Sequence, residues 1–326
     1  MWEGFETIYD REISDPSNLV TVIPIPTYHR GCDDSLFDAE YITEGYPSEV
    51  RICGLNDYNL EAQHPDTIYI QNVQDASNPG FTVHPHFHTG NLRNFTDDLV
   101  YIPYSCMSEI DPEYKFLDEH YPALLTPPGI QNADRIIVQS ENMKKVYLAL
   151  LAGRNTALAE YWDERISFED YPRIRILNKY TKETIPYPDA WKRHLFDRGG
   201  LRKKTVLYVT SVTGILEFCR SDLRKAREVF EKHLEQKETT ALIWRPHRNL
   251  PEIIMKLRPE LFDDFRALLE FYIYNDVGIF DETPTPTPAI LLSDGYLGDE
   301  CGIKELFKST GKPVLSDIYD LSSREK

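Results

Sequence analysis

Arg245 and His247 are the residues of this chain best suited to chemistry on a phosphate group. They flank Pro246, directly after the apolar run 241–244, which predicts a short buried strand. Pro246 has no N–H to give to a sheet, so the strand should end there. Ligands of open α/β sheets bind at the carboxyl ends of the strands. An arginine there fits phosphate with its planar fork of donors, and a histidine can donate a hydrogen bond or move a proton. The alternative is a plain strand-end turn with a surface histidine.

The segments around this triplet predict a series of parallel strands whose ends carry polar or small residues. The sequence predicts strands at 204–210 and 311–315. It predicts helices at 221–234, with Ser221 as the N-cap, and at 303–308. Between them, an apolar run ends at Asp294, and a loop of small residues spans 298–302. The candidate ligand-binding residues of this half are Thr210, Ser211, Arg245, His247, Asp294, Asp299, Cys301 and Gly302.

The first half also predicts an α/β domain. Short runs rich in β-branched residues predict strands at 19–25, 67–70, 99–103, 135–138 and 173–177, and helical patterns cover 141–151 and 155–161. A stretch rich in proline, tyrosine and charge then predicts a linker. The predicted organisation is an N-terminal domain over 1–180, a linker over 181–203 and a C-terminal nucleotide-binding domain over 204–326.

Composition excludes several classes of partner. The formal net charge of −17 argues against nucleic acid and against unaided docking on anionic lipid. No apolar run reaches the ~18 residues of a membrane span, and the acidic start is unlike a signal peptide. The scattered cysteines contain no CxxC pair and indicate reduced thiols, so we expect a cytoplasmic protein without a transmembrane segment. The cysteines are Cys32, Cys53, Cys106, Cys219 and Cys301.

Three histidines alternate along residues 84–88 and leave three interpretations open. On a strand, His84, His86 and His88 would share one face and could bind zinc. Pro85 favours a loop instead, and no acidic partner stands at a characteristic spacing, so we expect no metal. The other two interpretations are solvated loop histidines and a role for one or two of them in a binding cleft.

The order of motifs in the second half resembles a known family. An apolar strand that ends in Thr or Ser lies at 206–211, and an Arg-Pro-His triplet follows at 245–247. An Asp before a loop of small residues lies at 294–302, and a strand that begins Lys-Pro and continues with apolar residues lies at 312–315. This set is similar to the C-terminal domain of the CDP-glycerol glycerophosphotransferase family, the teichoic-acid polymerase group. The resemblance is best over 200–316 and looser over 17–150. It implies a GT-B-like α/β fold, with two Rossmann-like domains whose parallel sheets face each other across a cleft.

The resemblance also implies an activity. A family member would transfer a glycerophosphate or similar polyol-phosphate group from a CDP-activated donor to a hydroxyl of a cell-envelope polymer or glycan. That acceptor could sit on a membrane-bound carrier, which would bring a cytoplasmic enzyme to the inner face of the membrane. Arg245 and His247 would hold the diphosphate, and His247 is also a candidate catalytic residue. The other candidate residues would line the nucleotide and phosphate site, and neither metal nor cofactor is implied.

The chain departs from the family pattern at two places. Relatives usually have a histidine after the strand at 67–70, the expected proton acceptor, where this chain has Gln71. Glutamine is no base at neutral pH, so His84, in a His-Pro pair that relatives share, is the expected catalytic substitute. His86, His88, Asp75 and loss of the transfer activity remain alternatives. Relatives also usually place serines where Cys301 and Gly302 stand.

Three hypotheses therefore remain open: the transferase, a catalytically degenerate nucleotide-binding protein of the same fold, and a glycosyltransferase that uses a nucleotide sugar. The segment 2–8 predicts a helix without the strand that usually precedes it. No helix is predicted after 311–315, so we expect a divergent family member or a fragment.

Overall fold

A computed structural model of the chain describes residues 2–31, 33, 35–43, 46–78 and 80–320. Cys32 lies outside the described residues. The chain divides into two compact units, the N-terminal unit (1–105 and 109–176) and the C-terminal unit (106–108 and 177–326). Residues 181–203 thus group with the C-terminal unit, where Trp191 and Leu195 are buried. The predicted domain limits themselves stay predictions.

The N-terminal unit contains a parallel four-stranded sheet in the order β3-β5-β6-β7 and a small antiparallel sheet in the order β2-β1-β4. The central strand β5 carries the fully buried Leu99 and Val100. The strands are β1 (Thr27–Arg30), β2 (Leu36–Glu40), β3 (Thr67–Ile70), β4 (Phe81–Val83), β5 (Asp98–Tyr101), β6 (Arg135–Ile137) and β7 (Ile166–Ser167). The helices are α1 (Glu6–Ser14), α2 (Leu60–Gln63), α3 (Thr89–Leu92), α4 (Leu117–His120), α5 (Pro122–Leu125), α6 (Glu141–Ala152), α7 (Thr156–Asp163) and α8 (Pro172–Lys179), which continues into the C-terminal unit.

Several predicted elements of this unit are confirmed. The strands expected at 67–70, 99–103 and 135–138 are β3, β5 and β6. Helix α6 begins where predicted, because the Ser140 hydroxyl accepts the N–H of Met143. Asn155 caps α7 by accepting from the N–H groups of Ala157 and Leu158.

Two predicted strands are wrong. Residues 19–25 form only one bridge, Val22 with Ile52, because Pro24 has no N–H for a ladder and Leu19 is 92% exposed. Residues 173–177 lie in helix α8, which begins at Pro172, a residue whose fixed φ suits a first helical turn. Burial there follows the helical spacing, and a short apolar run does not by itself distinguish helix from strand.

The C-terminal unit contains a parallel four-stranded sheet in the order β10-β9-β8-β11. The strands are β8 (Lys204–Thr210), β9 (Thr240–Pro246), β10 (Ile279–Phe280) and β11 (Gly295–Gly298). The helices are α9 (Lys192–Leu195), α10 (Val212–Phe218), α11 (Arg220–Leu234), α12 (Leu250–Leu257), α13 (Phe262–Tyr274), α14 (Thr287–Leu292) and α15 (Gly302–Ser309). The predicted α/β class with parallel sheets is confirmed.

An aromatic cluster fixes β9 against helices α11 and α13. Trp244, Phe230 and Tyr272 are buried, and their ring centroids lie 4.7–5.0 Å apart, within the range of favourable aromatic pairs. The strands at 204–210 and 241–244 are confirmed. Pro246 is the last residue of β9, as its missing N–H requires.

The remaining predictions for this unit are met in part. The helix predicted over 221–234 is α11, but Cys219 rather than Ser221 is its N-cap. The predicted last strand at 311–315 is a single bridge between Val314 and Tyr296. In the part of the chain that the structure describes, no helix has the length and apolar character that crossing a membrane requires.

Candidate functional site

Three neighbouring strands of the C-terminal unit deliver polar loops to one edge of their sheet. Parallel strands end at the same edge, which we call the carboxyl edge. Backbone hydrogen bonds join its loops: His247 N donates to Thr210 O (2.9 Å), and Asp299 N donates to Val209 O (3.2 Å). The carboxyl edge therefore carries most of the candidate residues, namely Ser211, Arg245, His247, Asp299, Cys301 and Gly302. Ligands of α/β proteins bind at this edge.

Arg245 is held by the loop that follows β10. Its Nη1 donates to Asp281 Oδ2 (2.7 Å) and Thr283 Oγ1 (3.2 Å), and its Nη2 donates to the Thr283 carbonyl (3.0 Å). The Asp281 side chain is completely buried. These bonds leave Nε–H and one Nη2–H, a pair on one side of the guanidinium that can hold two phosphate oxygens. Asp281 was not predicted, because an acid after a two-residue strand carries no sequence signal.

His247 is arranged as a hydrogen-bond donor. The backbone N–H of Asn249 points at its Nδ1 (3.3 Å), so that nitrogen must be unprotonated and the proton of the neutral ring sits on Nε2. Partial burial, and then the charge of Arg245, lower the pKa of His247 below its usual value. The ring is therefore neutral near pH 7 and offers Nε2–H to a ligand.

Thr210 and Ser211 serve the local fold. Thr210 is 1% exposed, and its hydroxyl accepts from Trp244 Nε1 (3.0 Å), so it offers no group to solvent. The Ser211 hydroxyl caps α10 by accepting the N–H of Gly214 (2.9 Å). The Ser211 N–H in turn donates to Asp299 Oδ2 (2.6 Å), which ties the ends of β8 and β11 together.

A second carboxylate, Asp222, lies beside Asp299. A Cβ placed on Gly214 would be 2.3 Å from Asp299 Oδ2 and 3.1 Å from Asp222 Oδ2, so both acids contact this glycine. Asp222 is 4% exposed, and no described residue gives its Oδ2 a hydrogen bond. Burial, and then the charge of Asp299, raise its pKa to about 6. From the sequence, Asp222 is only a first-turn acid of a helix.

The helix predicted over 303–308 is α15, which begins one residue earlier, at Gly302, with Cys301 as its N-cap. The Cys301 carbonyl accepts the N–H of Lys304 (3.0 Å), and its Sγ lies 3.5 Å from Tyr296 Oη. A Cβ on Gly302 would lie 1.8 Å from the carbonyl oxygen of Cys106. The segment 106–108, although it comes from the first half of the chain, therefore packs against the start of α15 within the C-terminal unit.

Asp294 is not brought to this edge. It precedes β11, so it lies at the amino ends of the strands, where its Oδ2 accepts the N–H of Thr205 (2.9 Å) and it pairs with Lys182. A four-residue strand, about 13 Å long, separates it from Asp299. The apolar run before it forms helix α14, and the strand comes after it.

The three histidines lie on a loop of the N-terminal unit. Residues Pro85–Phe87 form a 3₁₀ turn, so the strand geometry of a zinc site is not adopted. His84 is exposed, and its Nδ1 accepts the N–H of His86 (3.2 Å), while His88 Nε2 lies 3.2 Å from Thr82 Oγ1. The described residues include no cluster of three or more histidine, cysteine or acidic side chains that could hold a metal ion.

The two other positions considered for a base are both in close contact with neighbours. A Cβ on Gly4 would be 1.9 Å from Gln71 Nε2, so the start of the chain packs on this side chain. Asp75 accepts from the Thr89 N–H (3.0 Å) and hydroxyl (2.6 Å). Asp75 therefore acts as a cap for α3.

In comparisons with known proteins, the chain is similar only to solved structures. No protein-family model and no curated protein matches the chain. A structure of the wall teichoic acid polymerase TagF with CDPG aligns with a TM-score of 0.48 at 13% identity, covering 99% of this chain and 68% of that one. A putative UDP-N-acetylglucosamine 2-epimerase from Listeria monocytogenes and S. aureus MnaA with UDP each align with a TM-score of 0.45 at 16% identity, covering 78% of this chain and 57% of theirs. At these scores the alignments carry no argument about activity.

Proposed function

We propose that the chain is a transferase that binds a CDP-activated donor at the carboxyl edge of the C-terminal unit. It would transfer a glycerophosphate or similar polyol phosphate to a hydroxyl of a cell-envelope polymer or glycan. The observation that carries the proposal is that Arg245, His247 and the start of α15 lie together at the carboxyl edge, where the bond between Ser211 and Asp299 joins the loops after β8 and β11. The motif resemblance in the sequence supplies the donor and acceptor classes.

The donors at this edge suit a diphosphate. Arg245 offers its free Nε–H and Nη2–H, His247 offers Nε2–H, and the first turn of α15 presents backbone N–H groups at the positive end of its dipole. Fixed donors of this kind stabilise charge as it develops on phosphate oxygens. Thr210 and Asp294 are left out of the proposed contacts, because one is buried and the other lies at the opposite edge.

In the proposed reaction, the acceptor oxygen bonds to the β-phosphorus of the donor while the bond from that phosphorus to the CMP oxygen breaks. The acceptor proton passes to a base, for which His84 is the proposed residue. The His84 lone pair on Nδ1 accepts the His86 N–H in this structure, so the ring must release that bond before it can act, either through Nδ1 itself or through Nε2 after a change of tautomer. An acceptor on a membrane-bound carrier would place the reaction at the inner membrane face.

One observation favours a second candidate, a nucleotide-binding protein without transferase activity. Gln71, which is no base, follows β3 where relatives have a histidine, and both Asp75 oxygens already accept hydrogen bonds from Thr89. Such a protein would bind CDP and release no CMP from CDP-glycerol.

A nucleotide panel in a thermal-shift assay separates these candidates. CDP should raise the melting temperature more than UDP, GDP or ADP, because a ligand that binds only the folded state stabilises it. His247→Ala should lose most of that rise, whereas Arg198→Gln, an exposed cation outside the carboxyl edge, should keep it.

CMP release from CDP-glycerol then distinguishes transfer from binding alone. Release that His84→Ala abolishes supports the transferase. A CDP shift without release, restored to turnover by Gln71→His, supports the degenerate protein. Preference for UDP would favour a nucleotide-sugar glycosyltransferase, and the absence of any nucleotide shift would refute the site.

A further inference from the structure

The opposite edge of the C-terminal sheet carries a group of cations. Arg202 precedes β8, Asp294 precedes β11, and Lys312 precedes the bridging residue Val314, so all three lie at the amino ends of neighbouring parallel strands. Lys182 joins them through its ion pair with Asp294. We call Lys182, Arg202, Asp294 and Lys312 the amino-edge cluster.

Arg202 carries hydrogen-bond donors that are buried and unused. Its Nε and Nη2 are shielded from solvent, and no described residue accepts from them. Its guanidinium carbon lies 5.7 Å from the centroid of the Phe196 ring, which provides packing but no acceptor. A buried N–H without a partner costs about 1–3 kcal/mol, more when the group is charged, so an acceptor is expected there.

These two N–H groups have a defined ligand geometry. Nε–H and one Nη2–H point to the same side of the planar guanidinium, and together they match two oxygens of a phosphate or carboxylate. Arg245 donates from Nη1 to the Asp281 carboxylate, whereas Nε and Nη2 of Arg202 reach no carboxylate among the described residues. The free edge of Arg202 therefore indicates a ligand with two oxygens on one centre.

The charge around Arg202 favours an anion. Three cations face one carboxylate, and Lys312 Nζ is held by the Ile290 and Leu291 carbonyls at the end of α14 (both 3.0 Å). Burial, and then the charges of Lys182 and Arg202 opposed by that of Asp294, together lower the pKa of Lys312 to about 8. Glu183 is nearby, but it is exposed and accepts from the Thr181 hydroxyl.

We infer that the amino-edge cluster binds a compact oxyanion of the phosphate class, with two of its oxygens on Arg202 Nε–H and Nη2–H and with Lys182 and Lys312 supplying further positive charge. The site is separate from the proposed nucleotide site, because the two lie at opposite ends of the same strands. The anion is either free phosphate or the phosphate group of a small phosphomonoester.

Anion titration of the full chain by thermal shift and calorimetry tests this site. Sodium phosphate should raise the melting temperature more than sodium chloride at equal ionic strength, with one phosphate bound per chain at the cluster. Arg202→Gln should weaken phosphate binding about tenfold or more, because it removes the bidentate donor edge. Arg198→Gln, the same change four residues away on an exposed side chain, should leave binding unchanged. Glycerol 3-phosphate, run in parallel, distinguishes a phosphomonoester from the free ion.

Two further variants keep the outcome clear. Lys182→Gln should also weaken binding, since it removes a cation and leaves Asp294 to repel the anion, so the test stands even if Arg202→Gln fails to fold. His247→Ala should keep the phosphate effect, which separates this site from the carboxyl edge. Equal effects of phosphate and chloride, or full phosphate binding by both cluster variants, would overturn the inference.

Discussion

At the scale of single residues, the sequence locates Arg245 but not the partner that controls its behaviour. The Arg-Pro-His triplet predicts a charged fork at a strand end, and the structure has it there. The buried Asp281 that neutralises it comes from a different strand, and no spacing along the chain connects the two. Asp222 is missed for the same reason, because its pairing with Asp299 arises only when α11 packs beside the end of β11.

The Arg245–Asp281 pair predicts a stability effect separate from ligand binding. Arg245→Ala should lower the free energy of unfolding of the ligand-free protein by about 3–5 kcal/mol, because it leaves the buried Asp281 charge without its cation, with the Thr283 N–H and hydroxyl still donating to it. The matched control is Lys256→Ala, in the exposed pair with Glu252, which should cost less than about 0.5 kcal/mol. Urea unfolding measures both, and equal losses in the two variants would contradict the prediction. A loss of ligand affinity in Arg245→Ala therefore has two sources, the missing donors and the lower stability of the fold.

Asp222 predicts a pH dependence with a definite sign. Its folded-state pKa, about 6, lies above that of the unfolded chain, so between about pH 4 and pH 6 the folded protein keeps a proton that the unfolded chain has lost. The stability that this carboxyl contributes is greatest below about pH 4 and is lost as the pH rises through 6. The side chain of Asp222→Asn cannot titrate. The free energy of unfolding of this variant, relative to that of the wild type, should therefore rise by about 2 kcal/mol between pH 4 and pH 7. A constant difference between the two unfolding curves over that range would show that Asp222 titrates normally.

At the scale of elements, runs with regular periodicity or a clear cap were predictable, and short apolar runs were not. Strand β8 and helix α6 are found where the sequence predicts them, because a continuous apolar run and a serine cap each specify one local structure. The segment 173–177 has too few residues to distinguish a period of two from one of 3.6, and Pro172 decides in favour of helix α8. Strand β11 is only four residues long and follows helix α14. The apolar run before Asp294 belongs to that helix, so the sequence pattern gave no separate signal for the strand after it.

The start of α15 depends on close packing that only glycine permits. Gly302→Ala should lower the free energy of unfolding by about 1–3 kcal/mol, because its Cβ would overlap the Cys106 carbonyl and displace the segment 106–108. Gly90→Ala, in helix α3, is the control, since its Cβ would meet nothing nearer than Asn132 Nδ2 at 3.6 Å. The control should be neutral or stabilising. Equal unfolding midpoints in urea for Gly302→Ala and the wild type would mean that the segment moves aside without cost.

At the scale of the whole molecule, composition and local chemistry point in opposite directions. The formal net charge is −17, yet an arginine stands at each edge of the C-terminal sheet, Arg245 at the carboxyl edge and Arg202 at the amino edge. A net charge averages over the whole surface, and as a sequence argument it counts only against nonspecific binding of nucleic acid. It says nothing about a few buried cations, whose position depends on strand direction. The sequence predicts the parallel sheet, and the parallel sheet then determines that Asp299 and Asp294 lie at opposite edges.

Hydrogen exchange on the intact chain can test the proposed assignment of edges. CDP should slow amide exchange at 211–214, 247–249 and 299–304, because these loops carry the donors of the proposed nucleotide site and ligand binding suppresses local opening. Exchange around 181–183 and 201–203, near the amino edge, should be unchanged by CDP. Slower exchange at 84–88 would support His84 as part of the same site, and unchanged exchange there would assign the proton acceptor elsewhere. Protection by CDP at the amino edge but not at the carboxyl edge would refute the proposed nucleotide site, because the two sets of loops are at opposite ends of the same strands.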